Sequence, residues 1–347
     1  MRGRQLLVEP LPAGGHAAAL VVDGRLQDLL IDADPADPTP RPEAIYRAVP
    51  GRPMKGTGGA IVELGGGQTG FLRGPELPAP GRPLLVQVAG WAEPGKAPPV
   101  SARLRLKGRT AMLTPGAPGR NLSRSLLDPG RREALAGLAG TAMADAAPDL
   151  GLVLRTAAAQ ADDEEIAAEI AALRAGWAAL ADGSAGLVRA APGAAAEARR
   201  DWRQPGDLLR EAATALADAG VWEEVAALGQ PLVALGQGSM AVEATRALVA
   251  VDVNTGGDLS PAAALKVNLA AAAELPRQLR LRGLGGQITI DFAPLARRDR
   301  PRIEQALGAA LRADTIDTTV AGWTPLSHLE ISRKRARRPL APPVGSS

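Results

Sequence analysis

The chain of 347 residues is long enough for two or three domains, has a formal net charge of only +3, and contains 46 % hydrophobic but only 2 % aromatic residues. Because it contains no cysteine and only two histidines, His16 and His328, the sequence excludes disulfides, thiolate zinc sites, iron–sulfur clusters and a multi-histidine metal centre within one chain. Any metal ion would therefore be a hard cation held by oxygen ligands.

The sequence predicts no targeting or membrane segment. The N-terminal apolar run is far too short for a signal peptide, and the longest uncharged stretch, residues 225–242, is interrupted by Pro231 and three glycines. We therefore expect no membrane partner and a cytoplasmic location. Charge is unevenly distributed, since residues 277–338 contain 13 arginines and lysines against 6 acidic residues. This predicts a polyanionic partner, although a GC-rich genome also produces arginine-rich proteins.

The first third of the chain has the pattern of short β-strands. Residues 1–35 contain alternating apolar runs, and Asp23-Gly24 between them is typical of a hairpin turn. After a proline-rich break at residues 36–42, four short apolar runs between residues 43 and 90 are separated by glycine and proline. This spacing predicts a small closed β-barrel.

Beyond Pro118 the pattern predicts both helices and strands. We predict a helix within 127–146, a buried strand at 149–156 and a further helix within 202–220. Asp162 begins an amphipathic helix with apolar residues at helical spacing. These residues are Ile166, Ile170, Leu173, Trp177 and Leu180. The acidic run at the start of this helix could bind a metal, but it also matches the helix dipole, and the second interpretation is favoured.

The last third predicts an α/β layer packed behind the barrel. Residues 245–253 form a continuous apolar run, which is typical of a strand buried on both faces. Ser260 followed by Pro261 predicts the start of a helix that runs to about Leu275. A strand, a helix and a final strand follow at 287–292, 300–314 and 315–323.

Two aspartates, Asp252 and Asp291, lie at the ends of predicted strands. Burying a charge is costly, so such a carboxylate is expected to face a cleft, a partner or a metal. If the two strands are neighbours, both carboxylates come within reach of one Mg²⁺. Asn254 would point to the same side and could orient a water or a carboxylate. Each aspartate alone is also explained as a turn or cap residue, as is Asp258.

The same residues carry a family resemblance. The segments ALVAVDVNTGGD, LKVNLAAAAELPRQLRLRGLGGQITIDF and LEISRKR closely resemble the catalytic region of the ribonuclease E/G family, whose members cut single-stranded RNA endonucleolytically with Mg²⁺. Upstream, EAIYRAVPG and GGAIVELGGGQTGFL resemble the RNA-binding OB-fold of that family. DLGLVLRTAA resembles the segment that reads the RNA 5′ end.

The resemblance implies a multidomain α/β (α+β) fold with an OB-fold β-barrel inserted after N-terminal RNase H-like strands. The implied parts are RNase H-like strands at 1–40, an OB-fold RNA-binding domain at 41–115, an α/β 5′-sensor region at 116–183, a shortened RNase H-like or connecting region at 184–240, a DNase I-like α/β catalytic region at 241–338 and a tail at 339–347. It also implies an endoribonuclease of RNA processing or decay that favours 5′-monophosphorylated ends. Mg²⁺ is the implied cofactor, Mn²⁺ is the alternative, and no zinc is expected.

The resemblance also implies roles for individual residues. Asp252 and Asp291 match the Mg²⁺ ligands, and Asn254 matches the residue that orients the catalytic carboxylate and water. The residues that match the 5′-monophosphate pocket are Gly108, Met112, Arg155 and Thr156. Those that match RNA contacts are Phe71, Lys96 and Arg124. Arginine binds phosphate through paired hydrogen bonds and an aromatic ring stacks on any base, so these roles suit the residue types. Without the resemblance, Phe71 would be interpreted as barrel core and Arg155 as a surface charge.

The sequence also departs from the family. Ile61 and Gly90 stand where the family has a second stacking aromatic and a lysine, and Pro325 stands where relatives often carry arginine. The CxxC zinc link between subunits and the small domain beyond it have no counterpart here. We therefore expect a monomer or a zinc-independent dimer, with Trp177 or Trp202 as candidate interface residues.

The leading hypothesis is a compact endoribonuclease whose partner is single-stranded RNA. The first alternative is a catalytically weak or inactive RNA-binding paralogue. A DNA-binding regulator is disfavoured because the sequence has no helix-turn-helix pattern.

Overall fold

The computed structural model describes residues 3–74, 77–181 and 183–340, and the chain divides into two compact units. The unit called here the terminal unit comprises the described parts of Met1–Pro10, Ala17–Ile31 and Arg210–Ser347. The barrel unit comprises the described parts of Leu11–His16 and Asp32–Leu209. Over the described ranges, no helix has the length and apolar character needed to cross a membrane.

The described residues form strands and helices throughout both units. The strands are β1 (Arg4–Pro10), β2 (His16–Val22), β3 (Arg25–Ile31), β4 (Ile45–Met54), β5 (Gly59–Gly65), β6 (Gln68–Arg73), β7 (Leu84–Val88), β8 (Pro99–Ser101), β9 (Leu106–Lys107), β10 (Ala111–Pro115), β11 (Arg120–Leu122), β12 (Leu150–Leu154), β13 (Gly186–Arg189), β14 (Leu208–Glu211), β15 (Leu232–Leu235), β16 (Gly238–Ala244), β17 (Val249–Asn254), β18 (Gly286–Asp291), β19 (Thr318–Trp323) and β20 (Leu329–Arg333). The α-helices are α1 (Pro129–Ala142), α2 (Asp163–Ala178), α3 (Ala194–Asp201), α4 (Val221–Ala227), α5 (Pro261–Leu281) and α6 (Arg300–Ala313). Short 3₁₀ turns lie at Thr156–Ala159 and Arg297–Asp299.

Five strands of the barrel unit close into a barrel in the order β4-β5-β6-β8-β7, because β7 pairs back onto β4. Apolar side chains such as Val62, Leu72 and Val86 fill its interior. The glycine and proline spacing therefore predicted the small closed barrel correctly. A closed five-stranded barrel is also the architecture of OB-like folds.

The barrel unit contains a second sheet, with the strand order β11-β12-β10-β9, against which α1 and α2 pack. Helix α1 and strand β12 confirm the helix predicted within 127–146 and the strand predicted at 149–156. Helix α2 begins directly after Asp162, as predicted. Most of its predicted apolar stripe is buried in the core that it shares with this sheet.

The acidic run at the start of α2 is partly neutralised by arginine. Asp163 lies 2.7 Å from Arg131, and Glu165 lies 2.6 Å from Arg109. These ion pairs, together with the helix dipole, account for the acidic run without a metal ion.

The first predicted strands belong to a four-stranded sheet of the order β14-β1-β2-β3. Asp23 and Gly24 connect β2 to β3 with φ values of 51° and 79°, which confirms the predicted hairpin turn. The helix predicted within 202–220 is wrong, because β14 pairs with β1 and turns follow it. The Glu9 carboxylate fixes these turns by accepting hydrogen bonds from the backbone of Leu216 and Ala217 at 2.7 and 3.2 Å.

The larger sheet of the terminal unit has the order β15-β16-β17-β18-β20-β19, and only β17 and β18 are parallel neighbours in it. Val249, Val251 and Val253 of β17 belong to the core that the sheet shares with α5 and α6. The prediction that this strand is buried on both faces is wrong, because Ala250 is only half-buried and Asp252 is exposed. Helices cover one face, and sheets with mostly antiparallel pairing often leave the other face to solvent. We call that face the open face.

One helix extends further than the sequence predicts. Helix α5 starts at Pro261, as expected, but continues past Leu275 and through Pro276. The buried side chains of Leu279 and Leu281 hold this last part against the core. Their burial offsets the backbone hydrogen bond that a proline cannot donate.

Candidate active site and phosphate site

Asp252 and Asp291 lie at the carboxyl ends of the parallel strands β17 and β18 and are direct neighbours in the register. Adjacent strands lie about 4.8 Å apart, and successive side chains point to opposite faces of a sheet. Because Val251, Val253 and Ile290 point into the core, both carboxylates point to the open face, where they are exposed. The pairing therefore brings the two carboxylates side by side.

Two further polar side chains lie beside these carboxylates. Asn254 Nδ2 donates a hydrogen bond to Asp252 Oδ2 at 2.7 Å, which fixes the direction of that carboxylate. His328 Nε2 lies 3.8 Å from Asp291 Oδ1. His328 directly precedes β20, the strand that pairs with β18 on the other side. His328 has no predicted role here, because only the pairing of these strands brings it to Asp291.

Asn268, on α5, anchors the chain just beyond Asp291. Its side-chain nitrogen donates to Ala293 O at 2.9 Å, and its side-chain oxygen accepts from Ala293 N at 3.0 Å. The side chain is fully buried, where paired amide hydrogen bonds are strong and costly to break. This positioning role of Asn268 was not predicted from the sequence. A polar residue on the apolar stripe of a helix was the signal that could have found it.

Asp252 and Asp291 are the residues that could hold a metal ion. They can share one hard divalent cation and leave its other positions to water and phosphate. Within the described residues, no group of three or more His, Asp or Glu side chains could hold a metal ion.

Phe71 lies on the outer surface of the barrel and not in its core. Gly70 and Leu72, on either side of it, are buried, whereas Phe71 is half-buried. It is the cross-strand neighbour of Ile61, which is 37 % exposed. The ring lies over Gly59, where an added Cβ would be 2.4 Å from a ring atom. Phe71 and Ile61 thus form a small apolar patch on the surface.

The other two predicted RNA contacts are also exposed. Lys96 lies in the loop between β7 and β8, with its side chain 69 % exposed and 2.6 Å from Glu93. The same loop leads to Pro99, which is the register neighbour of Phe71. Lys96 therefore lies in the chain segment that runs up to the Phe71 and Ile61 patch. Arg124 lies elsewhere in the unit, in the loop between β11 and α1.

The predicted 5′-phosphate residues come together in the barrel unit. The Arg155 guanidinium donates to the carbonyl oxygen of Gly108. The hydroxyl of Thr156 lies 2.9 Å from that of Ser123. Met112 lies half-buried on β10, the strand that pairs with β12 just before Arg155. The four residues are thus neighbours, but Arg155 and Thr156 both have partners within the chain.

The main partner of Arg155 is an internal carboxylate. Its Nη2 lies 2.6 Å from Asp201 Oδ1, and Arg200 binds the other oxygen of Asp201 at 2.7 Å. Burial by itself would raise the pKa of Asp201, but the hydrogen bonds and charges of Arg200 and Arg155 outweigh burial and hold the pKa below its ordinary value. Asp201 is therefore an anion at neutral pH and forms an ion pair with the guanidinium of Arg155.

The ion pairs continue from Arg200 to Glu43 and Lys107. Arg200 Nη1 and Lys107 Nζ each lie 2.7 Å from an oxygen of Glu43. Burial would raise the pKa of Glu43, but Arg200 and Lys107 outweigh burial and lower the pKa. Burial would likewise lower the pKa of Arg200, yet Asp201 and Glu43 raise it above its ordinary value.

A second internal carboxylate, that of Glu169, binds the loop that contains Gly108. Three backbone N–H groups donate to it, a geometry that also binds external anions. The donors are the N–H groups of Arg109, Thr110 and Ala111, at 2.5, 2.6 and 3.0 Å. A Cβ on Gly108 would lie only 2.5 Å from Glu169 Cδ. Gly108 is therefore required by the close approach of Glu169, whether or not a phosphate binds nearby.

Comparison with known proteins identifies the family of this chain. Residues 105–199 and 188–336 match the profile of the Ribonuclease E/G family, and together they cover more than half of the chain. The chain belongs to this family. The matched residues include Asp252, Asn254 and Asp291 as well as the Arg155 site.

Curated relatives match different lengths of the chain. Ribonuclease E of Nostoc sp. (strain PCC 7120 / SAG 25.82 / UTEX 2576) is 29 % identical in an alignment of length 309 that covers 75 % of this chain and 44 % of the relative. Ribonuclease E of Escherichia coli (strain K12) is 39 % identical over 116 residues, 32 % of this chain and 10 % of the relative. Ribonuclease G of Salmonella typhimurium (strain SL1344) is 37 % identical over 105 residues, 29 % of this chain and 22 % of the relative. The matches thus span less than half the length of these relatives.

Proposed function

We propose that this chain is a Mg²⁺-dependent endoribonuclease that hydrolyses single-stranded RNA in RNA processing or decay. The observation that carries the proposal is the side-by-side placement of Asp252 and Asp291 on the open face of the sheet. Membership of the Ribonuclease E/G family supports the same reaction.

The residues on the open face fit a hard divalent cation. Two neighbouring carboxylates, with room for water and phosphate, are the donor set that Mg²⁺ commonly uses in nucleic-acid enzymes, and Mn²⁺ is the alternative. When bound, the ion would lower the pKa of a water and stabilise negative charge as the phosphodiester bond breaks.

The chain's own residues would position these groups. Asn254 holds the Asp252 carboxylate through its 2.7 Å hydrogen bond, so that carboxylate needs no reorientation during the reaction. Asn268 fixes the backbone beyond Asp291 through its two hydrogen bonds to Ala293. The exposure of the open face leaves space for an extended strand of RNA.

We further propose that the barrel unit binds the RNA. Phe71 would stack on a base, and Lys96 and Arg124 would contact phosphates. Gly108, Met112, Arg155 and Thr156 would form the pocket for a 5′-monophosphate. Because Asp201 already occupies Arg155, a terminal phosphate must compete with an internal anion, and we expect only a moderate preference for monophosphorylated ends.

The finer domain assignments belong to the same proposal. Under this proposal, the barrel at 41–115 would be an OB-fold, residues 116–183 would be a 5′-sensor region, and residues 241–338 would be a DNase I-like catalytic region. The segments 1–40 and 184–240 would be RNase H-like, and 339–347 a tail.

A second candidate function is a weak or inactive RNA-binding paralogue. The observation that favours it is the patch around Phe71. An isoleucine, Ile61, lies beside that ring where the family resemblance implies a second stacking aromatic. An aliphatic side chain cannot stack on a base, so RNA would be held less firmly beside the barrel.

One experiment separates the two functions. A fluorescent, 5′-monophosphorylated, A/U-rich single-stranded RNA is incubated with the purified chain in Mg²⁺ or in EDTA, and a duplex of the same sequence serves as control. The proposal expects internal cleavage of the single strand in Mg²⁺ only. Binding of the single strand without cleavage in either Mg²⁺ or Mn²⁺ would favour the paralogue.

A further inference from the structure

The barrel unit contains a small basic pocket that the proposed function does not use. Its volume is about 190 Å³, and four of its lining side chains are cations. Among the described residues of the lining, one is acidic. The charged residues are Glu43, Arg105, Lys107, Arg189 and Arg200. We refer to this site as the basic pocket.

The four cations are in two different states. Lys107 and Arg200 share the carboxylate of Glu43, each at 2.7 Å. Arg105 and Arg189 are exposed, and among residues 3–74, 77–181 and 183–340 neither guanidinium has an acidic or hydrogen-bonding partner. The pocket therefore has an excess of positive charge that no described side chain neutralises, which is the electrostatic signature of an anion site.

The backbone at the pocket is held in place by a buried amide. Gln87, which is 8 % exposed, accepts from Arg105 N at 2.9 Å and donates to Arg105 O at 3.0 Å. It also donates to the backbone oxygen of Glu43 at 3.2 Å. The Gln87 side chain thus links the backbone of Arg105 to that of Glu43. An anion can therefore enter the pocket without rearrangement of this backbone.

The basic pocket lies next to the proposed 5′-phosphate pocket within the same unit. Arg200 belongs to its lining and also binds Asp201, the partner of Arg155. Lys107 also belongs to the lining and directly precedes Gly108. A strand whose 5′ end reached Arg155 would therefore bring its following phosphates to the basic pocket.

We propose that the basic pocket binds backbone phosphodiesters of single-stranded RNA close to its 5′ end, an inference that rests on the proposed function. Guanidinium groups bind phosphate oxygens through paired hydrogen bonds, and two such groups are free to do so here. The volume of about 190 Å³ is below the roughly 300–1,000 Å³ of sites that enclose whole small molecules, so the pocket admits a phosphate but does not enclose a nucleotide with its base.

The test measures RNA binding in EDTA, where no cleavage interferes. Two 3′-labelled single-stranded RNAs of one sequence, with a 5′-hydroxyl or a 5′-monophosphate, are titrated with wild type and with the Arg105→Gln/Arg189→Gln double variant at several salt concentrations. Loss of two phosphate contacts should reduce the salt slope of log affinity by about 1.4. It should weaken binding roughly tenfold, and equally for both RNAs.

Control variants separate charge from structure. Arg105→Lys/Arg189→Lys keeps both charges and should keep most of the salt slope. Arg246→Gln removes an exposed arginine in the turn between β16 and β17 and should leave binding unchanged. Thermal unfolding should be the same for all variants, because both pocket arginines are exposed.

Three results would overturn the proposal. The first is an unchanged salt slope in the double glutamine variant while wild type still cleaves RNA in Mg²⁺, which leaves the proposed function standing. The second is a loss of affinity confined to monophosphorylated RNA, which would assign the pocket to the terminal phosphate. A wild type that neither binds nor cleaves RNA would overturn the proposed function together with the pocket.

Discussion

The open face of the six-stranded sheet and the Arg155 site contain opposite arrangements of charge. On the open face, Asp252 and Asp291 are exposed anions, side by side, without a cation bound to them among the described lysines and arginines. At the second site, Arg155 is a cation that already binds Asp201 at 2.6 Å. A cation can bind at the first site without displacing a lysine or arginine side chain, whereas an anion at the second must compete with Asp201 for Arg155.

The difference follows from burial. Exposed carboxylates remain hydrated, so they can stand next to each other at modest cost until a cation binds. The Arg155 and Asp201 side chains are only 28 % and 22 % exposed, and an unpaired charge at that depth is costly. The internal ion pair therefore stabilises the folded surroundings of Arg155, and an anionic ligand at the proposed 5′-phosphate pocket would have to compete with Asp201.

The largest expected effect is at the open face. Asp252→Asn or Asp291→Asn removes a cation ligand with almost no change in volume. We expect Mg²⁺-dependent cleavage to fall by roughly 10²- to 10³-fold, because a catalytic metal supplies several kcal/mol of transition-state stabilisation. Single-turnover cleavage of labelled RNA measures the loss, and fluorescence anisotropy in EDTA should show unchanged RNA binding.

The matched control for these variants is Glu243→Gln. Glu243 is an exposed acid on β16 whose register neighbour is Ala250, so it lies on the same open face away from the two aspartates. Its removal should leave cleavage near the wild-type rate. A near-native rate in either aspartate variant would defeat the assignment of the active site.

Substitution of Asn268, the buried residue that anchors the chain beyond Asp291, should reduce stability. Asn268→Leu leaves the buried backbone N–H and C=O of Ala293 without partners, so we expect the free energy of unfolding to fall by about 2–4 kcal/mol. Urea denaturation measures this change. Cleavage should fall as well, since the chain beyond Asp291 loses its anchor. A leucine variant as stable as wild type would contradict the role of Asn268.

A smaller effect is expected at the Arg155 site. We expect wild type to prefer monophosphorylated over hydroxyl-ended RNA by about tenfold, a moderate preference because the phosphate competes with Asp201 for Arg155. Arg155→Ala should remove this preference, because the charge-assisted hydrogen bond from Arg155 to the phosphate is lost. The ratio of cleavage rates on the two RNAs measures it. Asp201→Asn should increase the preference by weakening the competitor.

Arg174→Ala is the control for that ratio, since Arg174 is a similarly exposed arginine of the barrel unit whose carboxylate partner is Asp145. Its replacement should not change the preference. Equal rates of wild type on the two RNAs would remove the 5′-sensor role and leave the nuclease proposal untouched.

The internal ion pairs predict a pH dependence of stability. The pKa values of Glu43 and Asp201 are lowered in the folded state from ordinary values of 4.5 and 3.8. Their contribution is therefore fully present above those ordinary values and is lost as the pH falls through the lowered folded values. Urea denaturation between pH 6 and about pH 3 should show decreasing stability, with a shallower decrease in Glu43→Gln. Parallel pH curves for the two proteins would contradict this prediction.

The smallest expected effect is on the molecular mass in solution. With no cysteine in the chain, EDTA should not change the mass measured by light scattering, whether the protein is a monomer or a zinc-independent dimer. The Trp202 side chain is buried at 3 % exposure and therefore does not form an interface, whereas Trp177 is half-buried against the core of the second sheet. A larger species that EDTA dissociates would reveal a metal link that the sequence does not predict.

Local sequence signals predicted many elements correctly. Asp23-Gly24 forms its hairpin turn, Asp162 precedes α2, and Pro261 begins α5. The helix predicted within 202–220 is wrong because its alanine-rich pattern carries no information about β1, the strand with which β14 pairs. The secondary structure of such a segment depends on the competition between its local helix propensity and its pairing with a strand that is distant in sequence.

By itself the sequence determined the barrel, the placement of Asp252, Asn254 and Asp291 at strand ends, and the family resemblance, because turn residues, caps and apolar periodicity are local properties. Only the tertiary structure decided that Asp252 and Asp291 are register neighbours on an uncovered face, that Asp201 pairs with Arg155, and that Glu169 accepts hydrogen bonds from the loop after Gly108. These features depend on contacts between residues far apart in the chain. Strand register and ion-pair partners are set by packing, which no local pattern encodes.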